Sequence, residues 1–246
     1  MDQLTTAQGR RIAYVQTAGQ GPGVVFLGGF RSDMSGTKAR YLQDWATGQG
    51  RAFLRFDYSG HGQSGGQFED GAIGDWAQDA MAVLARTDGP QILVGSSMGG
   101  WISLLIARVM PDKVAGLVTI AAVPDFTEDS MWGGFSSAQK AEMLTAGVIH
   151  LPSDYGSPYP ITKRLIEEAR GQLVLRHPLH LPMPVRMLQG TADRDVDQTV
   201  ALRLLDHATG PDIRLTLVKG ADHRFSMPDC LAMISVSIDE VSAKVG

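Results

Sequence analysis

The chain contains 246 residues, of which 43% are hydrophobic, enough for one buried core and short for two independent domains. Its net charge of −4, without a run of lysine or arginine, excludes an extended nucleic-acid surface. The single cysteine, Cys230, excludes an internal disulfide, and no apolar run is long enough to cross a membrane. The opening residues lack the pattern of a secretory signal. We therefore expect a cytoplasmic protein, either a monomer or a homodimer.

Short apolar runs alternate with helical patterns along most of the chain. An opening hairpin, turned at Gln8-Gly9, is predicted over residues 3–17, and six further strands are predicted at 24–29, 52–58, 91–95, 116–122, 185–189 and 213–218. Helical patterns cover residues 38–48, 73–86, 99–110, 197–208 and 228–244. This order predicts an α/β fold with a mostly parallel eight-stranded sheet and helices on both faces.

Residues 125–184 interrupt this alternation. Ser136 and Gln139 form a capping-box pattern that opens one helix, and a second helical pattern covers residues 161–170 before Gly171. We interpret the segment as a small helical cap. It is inserted into a core formed by residues 1–124 and 185–246.

The segment GSSMG, residues 95–99, fits the G-x-S-x-G pattern of a nucleophile elbow. In that turn the serine lies between a strand and a helix, so the residues two before and two after it must be small. A strand pattern leads directly into the segment and a helical pattern leaves it. Ser97 is therefore the predicted nucleophile, whereas Ser96 has the bulky Val94 and Met98 at the crowded positions.

The glycine-rich segment over residues 60–66 fits two competing patterns. Residues 62–66, GQSGG, place Ser64 in a second G-x-S-x-G, and residues 60–65, GHGQSG, fit the dinucleotide pattern G-x-G-x-x-G. Ser64 is followed by a loop pattern instead of a helix. The dinucleotide pattern also requires a helix that opens on the glycines and an acidic residue ending the next strand, and both are missing. We expect Ser97 to be the nucleophile and no nicotinamide cofactor to bind.

A serine nucleophile requires a histidine base and a carboxylate that orients it, here in the order Ser, acid, His. Asp193 follows the strand at 185–189 and His223 follows the strand at 213–218. The carboxyl ends of parallel strands meet at one edge of the sheet, so both are expected near Ser97. Asp125, which follows the strand at 116–122, remains a second candidate for the acid.

The other acids and histidines near these positions are assigned structural roles. Asp195 is interpreted as a turn residue, Asp197 as a helix N-cap and His61 as a residue that fixes a turn. The remaining histidines fall in a helix or in the cap and are given no catalytic role: His150, His177, His180 and His207.

Two backbone amides are expected to bind the developing oxyanion. One belongs to Met98, at the start of a helix, and the other to Phe30, after a strand whose end at Gly28-Gly29 permits a turn. Substrate contacts are expected from Gly29, Arg31, Trp132 and Phe135. Other apolar residues of the predicted cap that are candidates for lining an acyl pocket are Met131, Met143 and Leu144.

These residues resemble the α/β-hydrolase superfamily and, more narrowly, the subfamily of animal mitochondrial acyl-protein (palmitoyl) thioesterases and acyl-glucuronide esterases. The resembling stretches span most of the chain and are LGGF, MSGTKA, RFDYSGHGQS, DGPQILVGSSMGGW, LPSDY and GADHR. The resemblance implies a triad of Ser97, Asp193 and His223. The chain departs from the family pattern at Gln189, where a histidine is usual, and at Asp197, where a proline is usual.

The expected activity is hydrolysis of a carboxylic ester or thioester through an acyl-enzyme intermediate, with no metal and no cofactor. Expected substrates are a small-molecule acyl ester or thioester, or an acylated protein. Other functions that use the same arrangement remain open: a non-catalytic small-molecule receptor, a cofactor-free perhydrolase and a carbon–carbon hydrolase.

Overall fold

The structure, a computed structural model, describes residues 1–152 and 158–245. Residues 153–155 of the LPSDY stretch lie outside the described residues. The strands are β1 (Asp2–Thr5), β2 (Arg11–Thr17), β3 (Gln20–Leu27), β4 (Arg51–Phe56), β5 (Gln91–Ser96), β6 (Val114–Ile120), β7 (Val148–Leu151), β8 (Tyr159–Thr162), β9 (Leu179–His180), β10 (Val185–Gly190), β11 (Ala208–Thr209) and β12 (Ile213–Val218). The α-helices are α1 (Thr37–Gly48), α2 (Ile73–Leu84), α3 (Met98–Val109), α4 (Ser137–Ala146), α5 (Lys163–Ala169), α6 (Gln198–His207) and α7 (Pro228–Ser242).

An eight-stranded sheet forms the centre of the molecule, with the strand order β1-β2-β4-β3-β5-β6-β10-β12. The pairs β1–β2 and β2–β4 are antiparallel, and the other five pairs are parallel. The prediction of a mostly parallel eight-stranded sheet is therefore confirmed. Because β3, β5, β6, β10 and β12 run in the same direction, the loops after their carboxyl ends meet at one edge of the sheet.

The side chains of each central strand alternate between two apolar layers. In β3, Val25 and Leu27 pack with the layer that contains α2 and α3, whereas Val24 and Phe26 pack with the layer that contains α1 and α7. This alternation follows from the two-residue period of a strand. It leaves helices on both faces of the sheet, as predicted, and it holds the strand ends that carry the site in a rigid frame.

The chain between β6 and β10 contains α4, α5 and the antiparallel hairpin β7–β8. The predicted capping box is confirmed. The Ser136 side chain accepts from the Gln139 amide, and the Gln139 side chain accepts from the Ser136 amide. The second helix starts later than predicted because Ile161 belongs to β8, and Thr162 caps α5 by accepting from the Leu165 amide. The division into a core and a cap at residues 125 and 184 stays a prediction.

Across residues 1–152 and 158–245, the structure contains no helix with the length and apolar character needed to cross a bilayer.

Candidate active site

Ser97 lies in the turn between β5 and α3 and has an unusual backbone conformation. Its φ is 55° and its ψ is −119°, a combination that is strained for a residue with a side chain. Its amide donates to the carbonyl of Ile120 at 2.8 Å, which ties the turn to the neighbouring strand. Ser97 is half-buried at the carboxyl edge of the sheet.

Two glycines around Ser97 have no room for a side chain. A Cβ added to Gly99 would lie 2.1 Å from the carbonyl oxygen of Leu27, and one added to Gly95 would lie 2.4 Å from the carbonyl oxygen of Gly99. Both distances are far below van der Waals contact, and the obstacles are backbone atoms that do not rotate away. The small residues of the G-x-S-x-G pattern are therefore required by close packing of the turn.

His223 and Asp193 form a hydrogen-bonded pair on the loops after β12 and β10. The His223 Nδ1 lies 2.9 Å from the Asp193 Oδ2. Because an ionised carboxylate only accepts hydrogen bonds, Nδ1 carries the proton and Nε2 of the neutral ring is left as a base. The Asp193 side chain is fully buried, whereas that of His223 is 20% exposed.

The Asp193 carboxylate receives three further hydrogen bonds. Its Oδ1 accepts from the amides of Asp195 and Val196 at 2.9 and 2.8 Å, and its Oδ2 accepts from the Gln189 side chain at 3.1 Å. Burial opposes ionisation of Asp193, but the hydrogen bonds from His223, Val196 and Asp195 outweigh it and lower the pKa of the carboxyl group. The carboxylate is thus held ionised and fixed beside the imidazole.

Ser97 and His223 line the same cavity, which has a volume of about 660 Å³. This volume falls within the range of small-molecule sites. The predicted residues Gly29, Phe30 and Arg31 also line it, and the remaining described lining residues are Ser32, Lys38, Ser96, Tyr159, Asp195 and Arg224. The cavity therefore brings together the predicted nucleophile, the predicted base and the predicted oxyanion loop.

The turn after β3 approaches Ser97 closely. A Cβ added to Gly29 would lie 3.3 Å from the Ser97 Cβ. The turn after β3 and the turn at Ser97 are therefore neighbours in the wall of the cavity. Among the described residues, no group accepts a hydrogen bond from the Phe30 or the Met98 amide. Met98 is also the first residue of α3, where amides lack intrahelical partners and the helix dipole favours negative charge.

The Phe30 side chain is half-buried and packs in an aromatic cluster. Its ring centroid lies 4.9 Å from that of Phe68, 5.7 Å from that of Phe126 and 5.9 Å from that of Trp76, all in edge-to-face orientation. Such pairs stabilise one arrangement of the rings. The cluster therefore fixes the turn that carries the Phe30 amide.

The structure places Trp132 and Phe135 away from the described lining of this cavity. Phe135 is buried in the apolar layer, and its ring lies 6.2 Å from that of Trp132. The Trp132 ring in turn packs under the cations of Lys140 and Arg170. Met143 is buried in the same apolar layer, Met131 and Trp132 pack against it, and Leu144 is exposed.

Asp125 is fully buried and is bound by a segment outside the cavity. It accepts from the amides of Val174 and Leu175 at 2.8 and 3.0 Å and from the guanidinium of Arg176 at 2.8 Å. Both of its oxygens are therefore used, and the carboxylate beside His223 is that of Asp193. Asp125 instead joins the end of β6 to the chain that leads back to the sheet.

Replacing Asp125 by alanine is expected to lower the free energy of unfolding by about 3 kcal/mol, because two buried amides and a cation lose their acceptor. Urea unfolding monitored by circular dichroism measures the change. The matched control is Asp129→Ala, which removes a more exposed partner of the same Arg176 and is expected to cost less than about 1 kcal/mol. Equal losses in the two variants would contradict this role of Asp125.

Among the residues that the structure describes, one group of side chains has the spacing of metal ligands. Atoms of Asp193, Asp195 and His223 lie within 4.8 Å of one another. However, the Nδ1 of His223 already pairs with Asp193, and both Asp193 oxygens accept hydrogen bonds. The arrangement therefore fits an orienting carboxylate better than a metal centre.

Some residues of the site are not evident from the sequence pattern. Gln189 donates to Asp193 from the end of β10, and Tyr159 enters the cavity from β8. His61, predicted to fix a turn, accepts from the Arg31 amide at 3.2 Å. By contrast, the predicted N-cap is confirmed, since Asp197 accepts from the Thr199 amide. Only Gln189 had a signal, as it replaces the histidine usual in the resembling family.

An eight-stranded α/β sheet, a strained serine at a strand–helix turn and a histidine–aspartate pair whose histidine lines the same cavity as that serine define the class of α/β hydrolases. The sequence model described as serine aminopeptidase, S33, matches residues 23–153. The chain is 35% identical over 237 residues to the rat (Rattus norvegicus) mitochondrial palmitoyl-protein thioesterase ABHD10, covering 95% of this chain and 80% of that protein.

Two solved structures are similar over the whole chain. A hydrolase from Agrobacterium vitis S4, described as putative, matches with a TM-score of 0.94 at 39% identity and covers 100% of this chain and 98% of its own. The mouse alpha/beta hydrolase domain-containing protein 10 matches with a TM-score of 0.92 at 33% identity, covering 100% and 99%. The chain belongs to the serine aminopeptidase S33 family of α/β hydrolases, and it is a hydrolase.

Proposed function

We propose that this protein hydrolyses acyl esters or acyl thioesters, with Ser97 as the nucleophile, His223 as the general base and Asp193 as the group that orients His223. The observation that carries the proposal is a single cavity lined by the strained Ser97 and by His223, whose Nδ1 binds the buried Asp193. The palmitoyl-protein thioesterase activity named for the rat relative supports an acyl thioester as substrate.

In the first half of the reaction, the Ser97 Oγ attacks the carbonyl carbon of the substrate and its proton passes to the His223 Nε2. Collapse of the tetrahedral intermediate breaks the bond to the leaving oxygen or sulfur, which takes that proton from His223. The acyl group remains on Ser97. In the second half, water attacks the acyl carbon while the His223 Nε2 takes a proton from it; the bond to the Ser97 Oγ then breaks, Oγ takes that proton from His223, and the carboxylic acid leaves. Asp193 stays ionised throughout and stabilises the imidazolium.

The amides of Phe30 and Met98 are proposed to donate to the oxyanion that forms in each half-reaction. The two amides belong to the turns on either side of Ser97, and no described residue accepts a hydrogen bond from them. Donors of this kind stabilise the transition state more than the substrate, and loss of one typically slows the reaction by about 10²–10³-fold. The packing of the Phe30 ring against Phe68, Phe126 and Trp76 supports a fixed position for its amide.

The substrate's acyl chain is proposed to occupy the cavity of about 660 Å³. Each buried methylene contributes about 0.8 kcal/mol, so kcat/KM for p-nitrophenyl esters is expected to rise about fourfold per methylene until the cavity is filled. Steady-state rates across chains of two to sixteen carbons, each corrected with the Ser97→Ala protein, measure this. A flat profile across the series would contradict an acyl-binding cavity.

The proposed reaction is tested with purified protein and three matched substrates that carry the same acyl group: an oxygen ester, a thioester and an anilide. We expect turnover of the first two, with release of the acid and the alcohol or thiol. Turnover of the anilide alone would favour a peptidase, and no turnover combined with saturable binding would favour a receptor. Peracid formation from hydrogen peroxide and cleavage of a diketone test the remaining alternatives.

The location and the assembly of the protein stay predictions. A cytoplasmic monomer or homodimer is proposed from the sequence, whereas the names of the animal relatives place those proteins in mitochondria.

A further inference from the structure

Arg31 lines the cavity beside Ser97 and His223 and holds an exposed positive charge there. Its guanidinium carbon lies 5.3 Å from the ring centroid of Phe68 and 5.6 Å from that of Tyr159. Cation–π contacts at this range restrict a side chain that would otherwise be free in solvent. The Arg31 charge is therefore held at the cavity wall.

The backbone of Arg31 is held as firmly as its side chain. Its φ is 56°, a left-handed conformation that is strained for a residue other than glycine and persists only where the surroundings enforce it. The buried His61 enforces it here, since its Nε2 accepts from the Arg31 amide at 3.2 Å while its Nδ1 pairs with the Ser59 carbonyl at 3.0 Å. Burial lowers the pKa of His61, which keeps the Nε2 lone pair available.

Within the described part of the chain, no carboxylate or carbonyl oxygen accepts from the Arg31 side chain. A planar fork of donors that is fixed in a cavity but unpaired matches a carboxylate or a phosphate of a ligand.

The charged side chains that line the cavity are positive on balance. The described lining residues include the cations Arg31, Lys38 and Arg224 and one anion, Asp195, in a chain whose net charge is −4. Burial lowers the pKa of Lys38 to about 8, so Lys38 stays mainly protonated at pH 7. The cavity thus concentrates positive charge against the trend of the whole molecule and favours an anionic ligand.

We propose that Arg31 binds an oxyanion group, a carboxylate or a phosphate, carried by the ester or thioester that Ser97 attacks. This inference rests on the proposed function and narrows its substrate class to acyl compounds with an anionic group near the scissile bond. Arg31 is a specificity-determining residue in this account. Its side chain binds the anion, and its fixed backbone sets the place of that anion relative to Ser97.

The test compares three pairs of esters, each an anion and its neutral counterpart, which is the carboxamide for a carboxylate and the dimethyl ester for a phosphate. The anion is a carboxylate on the acyl group, a carboxylate on a phenol leaving group, or a phosphate on that leaving group. The readout is the ratio of kcat/KM for the anionic and the neutral member in the wild type, in Arg31→Gln and in Arg31→Lys. The control variant is Arg86→Gln, which removes an exposed arginine outside the described lining of the cavity.

In the wild type, the ratio for the best pair is expected to be about tenfold or more and to fall in 0.5 M NaCl, as expected for a partly exposed ion pair. Arg31→Gln is expected to bring the ratio close to one, Arg31→Lys to keep part of it, and Arg86→Gln to leave it unchanged. The best pair also shows whether the anion lies on the acyl or the leaving side and whether it is a carboxylate or a phosphate.

An unchanged ratio in Arg31→Gln, or a wild-type preference for the neutral member of all three pairs, would overturn the anion subsite while leaving ester hydrolysis intact. Turnover of none of the six esters by the wild type would instead overturn the proposed function, and the subsite with it. Circular dichroism of each variant separates a lost preference from a lost fold.

Discussion

Ser97→Ala is expected to reduce kcat/KM for any ester or thioester substrate by at least about 10⁴-fold, the scale seen when a serine nucleophile is removed. The alanine keeps the strained turn and its packing, so the protein is expected to remain folded. Without the Oγ no acyl-enzyme forms, and only slow attack by water in the cavity is left. Steady-state kinetics together with mass spectrometry of the trapped acyl-enzyme measure both effects.

Two serines provide controls for this loss. Ser96 lies next to Ser97 and lines the same cavity, while Ser64 belongs to the second G-x-S-x-G segment. The Ser64 Oγ donates to the Asp57 carbonyl at 2.6 Å and accepts from the Ala13 amide at 2.9 Å, which is a structural role. Ser96→Ala and Ser64→Ala are therefore expected to keep acyl-enzyme formation. If Ser97→Ala still formed an acyl-enzyme and either control variant did not, Ser97 would not be the nucleophile.

The second large effect is expected from Asp193→Asn, with a loss of about 10⁴-fold in kcat. An asparagine amide that donates to the His223 Nδ1 favours the tautomer with the proton on Nε2, which can no longer accept from Ser97. Substrate binding is expected to change little, so the loss falls on kcat instead of KM. The matched control is Asp195→Asn, an acid in the same cavity two residues away.

The same variant has a pH-dependent effect on stability. Because the folded pKa of Asp193 is lowered, its ionised form stabilises the native state above the ordinary pKa of an aspartate, and this stabilisation is lost as the pH falls through the lowered value. The stability difference between wild type and Asp193→Asn is therefore expected to shrink in acid. A constant difference from neutral to acidic pH would show that the Asp193 charge does not contribute.

The turn at Ser97 and the strand ends that carry Asp193 and His223 could be predicted from the sequence, because steric exclusion and the order of the strands determine them. Gly95 and Gly99 are required because backbone atoms lie within 2.4 Å of the position that a Cβ would take at either residue, and such a requirement is visible as a pattern of small residues. Parallel strands bring the loops after β10 and β12 to the same edge of the sheet as Ser97. The juxtaposition of Asp193 with His223 follows from that topology.

The surroundings of the site could not be predicted in the same way. Trp132 and Phe135 have the composition of a pocket lining, but apolar side chains pack equally well against each other, and the sequence does not show which surface covers them. The hairpin β7–β8 depends on pairing between Val148–Leu151 and Tyr159–Thr162. The apolar residues at the end of β8 also fit the helical pattern predicted over residues 161–170, so the sequence did not indicate a strand there. The His61 contact with Arg31 joins two loops whose approach depends on the tertiary fold.

The choice between Asp193 and Asp125 shows where local pattern ends. Both follow a parallel strand, and spacing alone leaves both near His223. Three hydrogen bonds from the chain at Val174–Arg176 occupy Asp125, and these partners lie about fifty positions further along the sequence. Only the folded chain shows that Asp125 binds the segment at Val174–Arg176 and that Asp193 binds His223.

The central claim, a Ser97 activated by His223 and Asp193, is tested most directly by labelling the purified protein with a fluorophosphonate and locating the adduct by peptide mass spectrometry. We predict one adduct, on Ser97, that forms in wild type, is competed by acyl thioester and is strongly slowed in Asp193→Asn. An adduct on Ser96 or Ser64, or a folded wild-type protein that does not react, would contradict the account.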